Sequence, residues 1–116
     1  MEKLKFGLVG YGKVAELHAR AIAASNNAEL VSVWGRDAGK REAFAAKHGI
    51  HARASIMEMV DRDKVAAVLI VTPHPTHAML SIEASAAGCH VLVEKPMALR
   101  VADCEAMIAA AKAAGK

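Results

Sequence analysis

The chain has 116 residues, room for one domain, and a formal charge of only +3 with no basic run, so nucleic-acid binding is not indicated. Hydrophobic residues make up 54% of it and aromatic residues 3%, so the core is expected to be aliphatic and alanine-rich. No uninterrupted apolar stretch approaches the ~18 residues that suggest a membrane span.

Met1–Lys5 carries no apolar signal region, and Cys89 and Cys104 form no Cys-x-x-Cys pair. A reducing, cytoplasmic setting is expected. The apolar run at residues 4–9 predicts a strand buried on both faces. Gly10-Tyr11-Gly12-Lys13-Val14-Ala15 follows, then a helix with Val14, Leu17, His18, Ala21 and Ile22 on one stripe. Ser25-Asn26-Asn27 has turn chemistry. A second strand is predicted over 29–34. Asp37 then caps a helix to His48, with Phe44 as core anchor and Gly49 at its end. Residues 51–54 read as a weak strand, and Ser55 caps a short helical turn through Met59 and Val60. Asp61-Arg62-Asp63-Lys64 reads as a mixed-charge surface turn.

Residues 65–71 are consecutively apolar and rich in β-branched types, a strand that Thr72-Pro73-His74-Pro75 stops. A helix over 76–87, a strand over 90–93, Glu94-Lys95-Pro96 and a helix over 101–114 complete the chain. Alternation of this kind predicts an α/β fold: a Rossmann-type doubly wound parallel sheet in the order 3-2-1-4-5, ending before a sixth strand. Cys89, Cys104 and the methionines read as buried filler.

The glycine turn carries the first chemistry. Gly10 permits a tight turn, Gly12 lets backbone approach a phosphate, and Ala15 allows close helix–strand packing. A helix N-terminus here, opened by Lys13 and Val14, suits a pyrophosphate. NAD binders place an acid at the end of the second strand for the ribose 2′-hydroxyl. Gly35-Arg36-Asp37 stands there instead. Glycine removes a carboxylate that would repel a 2′-phosphate, and Arg36 offers it a fork. NADP(H) is therefore favoured over NAD(H). Two alternatives stay open: Arg36 as a solvated loop residue, and Asp37 reaching the ribose itself.

Doubly wound sheets bind ligands at the carboxyl ends of their strands. Thr72, Pro73 and His74 lie at that edge and are candidates to line the cofactor, while His77 suits either the cofactor or a structural hydrogen bond. His74-x-x-His77 lacks a clear third ligand, even with Glu94 at the same edge, so no metal is expected. Lys95 can pair with phosphate or ribose oxygens or polarise a substrate hydroxyl. His18 reads as a hydrogen-bonded core histidine, and His48, His51 and His90 have no nameable partner.

The glycine turn followed by His18, the segment 65–77 ending in Thr-Pro-x-x-x-His, and Gly88-Cys89-His90-Val91-Leu92-Val93-Glu94-Lys95-Pro96 together resemble the Gfo/Idh/MocA oxidoreductases, the relatives of glucose-fructose oxidoreductase and inositol dehydrogenase. The resemblance implies that Lys95 is catalytic beside the nicotinamide and substrate, that Glu94 and Pro96 belong to the cofactor site, and that the Lys95–Pro96 bond is cis. It also implies hydride transfer to or from a sugar, polyol or related secondary alcohol or ketone. Family members are much longer, and their second domain carries the substrate pocket and usually a catalytic histidine and aspartate. Residues 1–116 are thus expected to be a nucleotide-binding domain without its substrate domain, binding cofactor with negligible turnover. A stand-alone dinucleotide-sensing module is the alternative. An S-adenosylmethionine enzyme is disfavoured by Glu94-Lys95-Pro96. A homodimer through the open edge of the fifth strand is expected.

Overall fold

The computed structural model describes residues 2–116; Met1, where the expected domain begins, lies outside the described residues. The strands are β1 (Leu4–Val9), β2 (Ala28–Trp34), β3 (His51–Ala52), β4 (Ala67–Ile70) and β5 (His90–Val93). The helices are α1 (Lys13–Ala24), α2 (Ala38–His48), α3 (Ile56–Asp63), α4 (His77–Ala86) and α5 (Val101–Ala113). All strand pairs are parallel and the sheet order is β3-β2-β1-β4-β5, the expected doubly wound arrangement.

Strand alternation divides the core. Leu8 and Val33 pack with Ala15, Ala19, Phe44 and Ala45 beneath α1 and α2. Val9, Val68 and Ile70 point the other way, against Ile56, Met59, Leu80, Ala84 and Cys89 of α3, α4 and the turn before β5. All four residues of β4 are buried, as a strand covered on both faces requires. The last helix, α5, packs on α4.

Caps fall where the residue types demand them. Asp37 Oδ1 accepts the Lys40 N–H at 2.9 Å, and Ser55 Oγ accepts the Glu58 N–H at 3.0 Å. Gly49 ends α2 in the left-handed region, at φ 65°.

Several expectations need correction. The buried stripe of α1 is Ala15, Ala19 and Ile22, whereas Val14 and Leu17 are 40% and 58% exposed. Small residues let α1 lie close to the sheet, and that rotation turns the bulkier stripe outward. The strand expected over 65–71 shortens to Ala67–Ile70, although Ala66 and Val71 still donate to β1 carbonyls at 2.9 Å. The weak strand over 51–54 is only His51–Ala52. A 3-10 turn, His74–Thr76, precedes α4, because two prolines interrupt regular backbone bonding before His77. The turn begun at Ser55 runs on as α3 through Asp63, so residues 61–63 are helical. Asp63 is not a solvated charge: its side chain is 5% exposed and takes a two-pronged ion pair from Arg53, both bonds 2.7 Å. Cys89 is buried as expected, but Cys104 is only half-buried. Met59 and Met107 are core residues, while Met57, Met79 and Met97 are exposed. No helix among the described residues is long and apolar enough to cross a membrane.

Candidate dinucleotide site

Gly10 leaves β1 with φ +116°, a conformation L side chains rarely adopt. A Cβ here would also sit 3.0 Å from the Val71 carbonyl oxygen. Its N–H donates to the Trp34 carbonyl at 2.8 Å, stitching the turn to the end of β2. Gly12 is exposed, and a Cβ added to it would meet nothing within 4 Å, so its bareness leaves open space at the head of α1. The first intrahelical bond runs from the Glu16 N–H to the Gly12 carbonyl at 3.2 Å. The N–H groups of Lys13, Val14 and Ala15 precede it and form the electropositive end of the helix. Ala15 itself is fully buried against the sheet.

A cleft of about 880 Å³ opens at this edge. Gly10, Tyr11 and Gly12 form one wall, Trp34, Arg36 and Lys40 another, and Val71–His74 with Thr76, Met79 and Leu80 a third. Of the residues singled out by the sequence, Gly10, Gly12, Arg36, Thr72, Pro73 and His74 thus share one cavity. The loop after β4 is held by its own hydroxyls. Thr76 Oγ1 donates to the Pro73 carbonyl at 2.6 Å, and the Thr72 hydroxyl lies 2.7 Å from Thr76 Oγ1.

Gly35 and Asp37 stand back from the cavity. Gly35 is buried beneath the Tyr11 ring, and its carbonyl accepts from Arg41 Nη1 at 3.0 Å. Asp37 Oδ1 caps α2, and the Asp37 N–H donates to the Tyr11 hydroxyl at 3.0 Å. Lys40 and Tyr11 were not singled out by sequence reasoning. Lys40 carried a signal: a cation in the first turn of α2, where the helix dipole favours an acid. Tyr11 carried only its place between two glycines.

His77 is 1% exposed. Its Nδ1 lies 2.8 Å from the Pro96 carbonyl and its Nε2 2.9 Å from the Thr72 carbonyl. It thus links the loop after β4 to the loop after β5. Both ring nitrogens face carbonyl oxygens, so neither is free for a metal. Among the described residues no group of three or more His, Cys, Asp or Glu side chains is placed to hold one.

The Glu94-Lys95-Pro96 loop therefore adjoins the cleft through His77. The Lys95–Pro96 bond is cis, as the resemblance implied. Glu94 uses both carboxylate oxygens: Oε2 accepts from His18 Nε2 at 2.9 Å, and Oε1 accepts the Lys95 N–H at 3.1 Å. The His18 bond and then the Lys95 N–H hold the Glu94 carboxyl below its ordinary value. His18 is accordingly hydrogen-bonded but not a core residue, being 29% exposed. It lies on the outward stripe of α1, which brings it to the end of β5. Lys95 is exposed. His48 also has a partner, Glu16 Oε2 at 2.9 Å.

A family model described as an oxidoreductase family with an NAD-binding Rossmann fold matches residues 4–116. The chain belongs to the Gfo/Idh/MocA family. Similar to it is the NADP(+)-dependent scyllo-inositol 2-dehydrogenase of Bacillus subtilis, 34% identical over 97% of this chain and 34% of that enzyme. The inositol 2-dehydrogenase of Salmonella typhimurium is 32% identical over 97% of this chain and 34% of its own length. Among solved structures, the WlbA dehydrogenase of Bordetella pertussis in complex with NADH and UDP-GlcNAcA superposes with a TM-score of 0.91 and 36% identity, over 98% of this chain and 35% of that one. The biliverdin reductase of Synechocystis, in complex with biliverdin and NADP+, gives 0.86 and 29%, over 97% and 36%. This Gfo/Idh/MocA chain spans about a third of the length of the relatives it matches. Among these relatives both phosphorylated and unphosphorylated dinucleotides occur.

Proposed function

We propose that the chain is the cofactor-binding part of an NAD(P)-dependent oxidoreductase that moves hydride to or from a sugar, polyol or related secondary alcohol or ketone, with NADP(H) preferred. The cleft fits such a cofactor. Gly10 and Gly12 leave backbone bare at the open end of α1, a cradle for a pyrophosphate. When bound, the nicotinamide supplies or accepts the hydride.

The observation that carries the preference is the pairing of Arg36 and Lys40 on one wall of the cleft, while the neighbouring acid, Asp37, turns Oδ1 to the cap of α2. Two cations on one wall suit a 2′-phosphate. Thr72, Pro73 and His74 line the cofactor on the opposite wall. Lys95, whose N–H is held by Glu94, would orient and polarise the reacting oxygen with its ammonium. His77 acts on this arrangement by clamping the two loops together. The relatives are about three times as long as the segment matched, and substrate binding and turnover are inferred to need more than these residues.

Titration of the chain with NADPH and with NADH tests the preference. Charge-assisted bonds of about 1.5–3 kcal/mol predict NADPH tighter by roughly tenfold to hundredfold. Equal affinities, or tighter NADH, overturn the reading.

A further inference from the structure

We propose that Tyr11 is a specificity-determining residue: its ring restricts position 35 to glycine and thereby keeps an acidic side chain out of the end of the cleft where Arg36 and Lys40 lie. The inference rests on the 2′-phosphate reading above, and adds to it a reason why the acid is missing.

Glycine at 35 need not reflect cofactor charge alone. A Cβ built on Gly35 would overlap the Tyr11 ring, with Cζ at 2.8 Å and two further ring carbons nearer still. The ring is held in place. Its hydroxyl accepts the Asp37 N–H at 3.0 Å, and the turn beneath it is tied to β2 by the Gly10 N–H to the Trp34 carbonyl at 2.8 Å. Gly35 is fixed as well, through its carbonyl and Arg41. Any side chain at 35 must therefore displace Tyr11 and break its bond to Asp37. Tyr11 already forms part of the cleft wall, so a displaced ring competes with the ligand for the same space. An aspartate introduced at 35 cannot simply take up the ribose hydroxyls, as acids do at the end of this strand in NAD-binding sheets. Specificity at 35 is thus coupled to the identity of residue 11. Such coupling between touching residues is the kind that a double-mutant cycle isolates.

The experiment is that cycle in the full chain: wild type, Gly35→Asp, Tyr11→Ala and the double variant, each titrated with NADH and NADPH. Gly35→Asp alone is expected to weaken NADPH without tightening NADH, and the double variant to bind NADH about tenfold tighter than Gly35→Asp does. Thermal unfolding of the same four proteins without cofactor gives a second readout. The double variant should melt above Gly35→Asp, even where the single variant fails to fold. If Gly35→Asp changes NADH affinity by the same factor in both backgrounds, or if the double variant melts no higher than Gly35→Asp, the coupling is refuted. Wild-type preference for NADH would instead defeat the 2′-phosphate reading and leave the cycle to decide the role of Tyr11.

Discussion

His18 on α1 and Glu94 at the end of β5 are 76 residues apart in sequence and meet at 2.9 Å. The other Glu94 oxygen accepts the Lys95 N–H. The first helix of the fold thus positions the backbone of the lysine proposed to act on substrate. Replacing His18 with alanine should raise the hydrogen-exchange rate of the Lys95 amide while leaving the amides of β1 unchanged. Glutamine, which keeps an N–H donor, should restore part of the protection. An unchanged Lys95 amide in His18→Ala means that the pair does not hold the loop.

The same contact has a pH signature. Partner bonds hold the carboxyls of Glu94 and Glu16 below the ordinary 4.5 in the folded chain, His18 first for Glu94 and Lys47 first for Glu16. A depressed folded-state value contributes stability above the unfolded value and loses it as pH falls through the folded one. Unfolding free energy should therefore decline as pH falls below 4.5, less steeply in Glu94→Gln and Glu16→Gln variants. Denaturant melts across the acid range measure this. A wild-type slope matching that of the variants contradicts it.

Arg53 and Asp63 give a larger effect. Their side chains are 16% and 5% exposed and share two bonds of 2.7 Å. Removing one partner of a fully buried pair costs about 3–5 kcal/mol; Arg53 keeps some access to water, so Asp63→Asn should cost about 2 kcal/mol in urea unfolding. A loss within the range of a surface pair, under ~1 kcal/mol, would count against the pair as an anchor of α3.

Gly10→Ala should destabilise the chain by about 1–3 kcal/mol, since φ +116° is strained for alanine and Val71 blocks its Cβ. Dinucleotide binding should fall with it. Wild-type stability and affinity in this variant would remove the turn from the account.

Much of the fold was legible because it is written locally. A β-branched run, a glycine pair and a capping aspartate each carry their meaning in a few adjacent residues, and β1, the glycine turn, α1 and the order of the strands follow from them. What escaped depends on which way a helix turns, or on partners far apart in sequence. Periodicity alone puts Val14, Leu17 and His18 on the buried stripe with Ile22, and only the rotation of α1 turns the first two outward and brings His18 to Glu94. Asp63 looks solvated in the sequence because Arg53, just ahead of α3, reaches it only once that helix is wound. At the candidate site, Arg36 was visible from its place after β2. Lys40 joins it only once α2 is wound, and the Tyr11 ring covers Gly35 only once two loops meet.

The edge of β5 pairs only with β4 among the described residues. Its His90 and Glu94 N–H groups donate toward β4, so those of Val91 and Val93 point outward. Self-association through that edge predicts a scattering mass that rises toward a dimer with concentration. A constant monomer mass over a wide range contradicts it.

The central claim is that Arg36 and Lys40 grip a 2′-phosphate. The most direct measurement is the ratio of NADH to NADPH dissociation constants in the wild-type chain and in an Arg36→Ala/Lys40→Ala variant. A wild-type ratio of about ten or more is expected, collapsing toward one in the variant with NADH affinity little changed. A ratio near one in the wild type, or one that survives the loss of both cations, contradicts it.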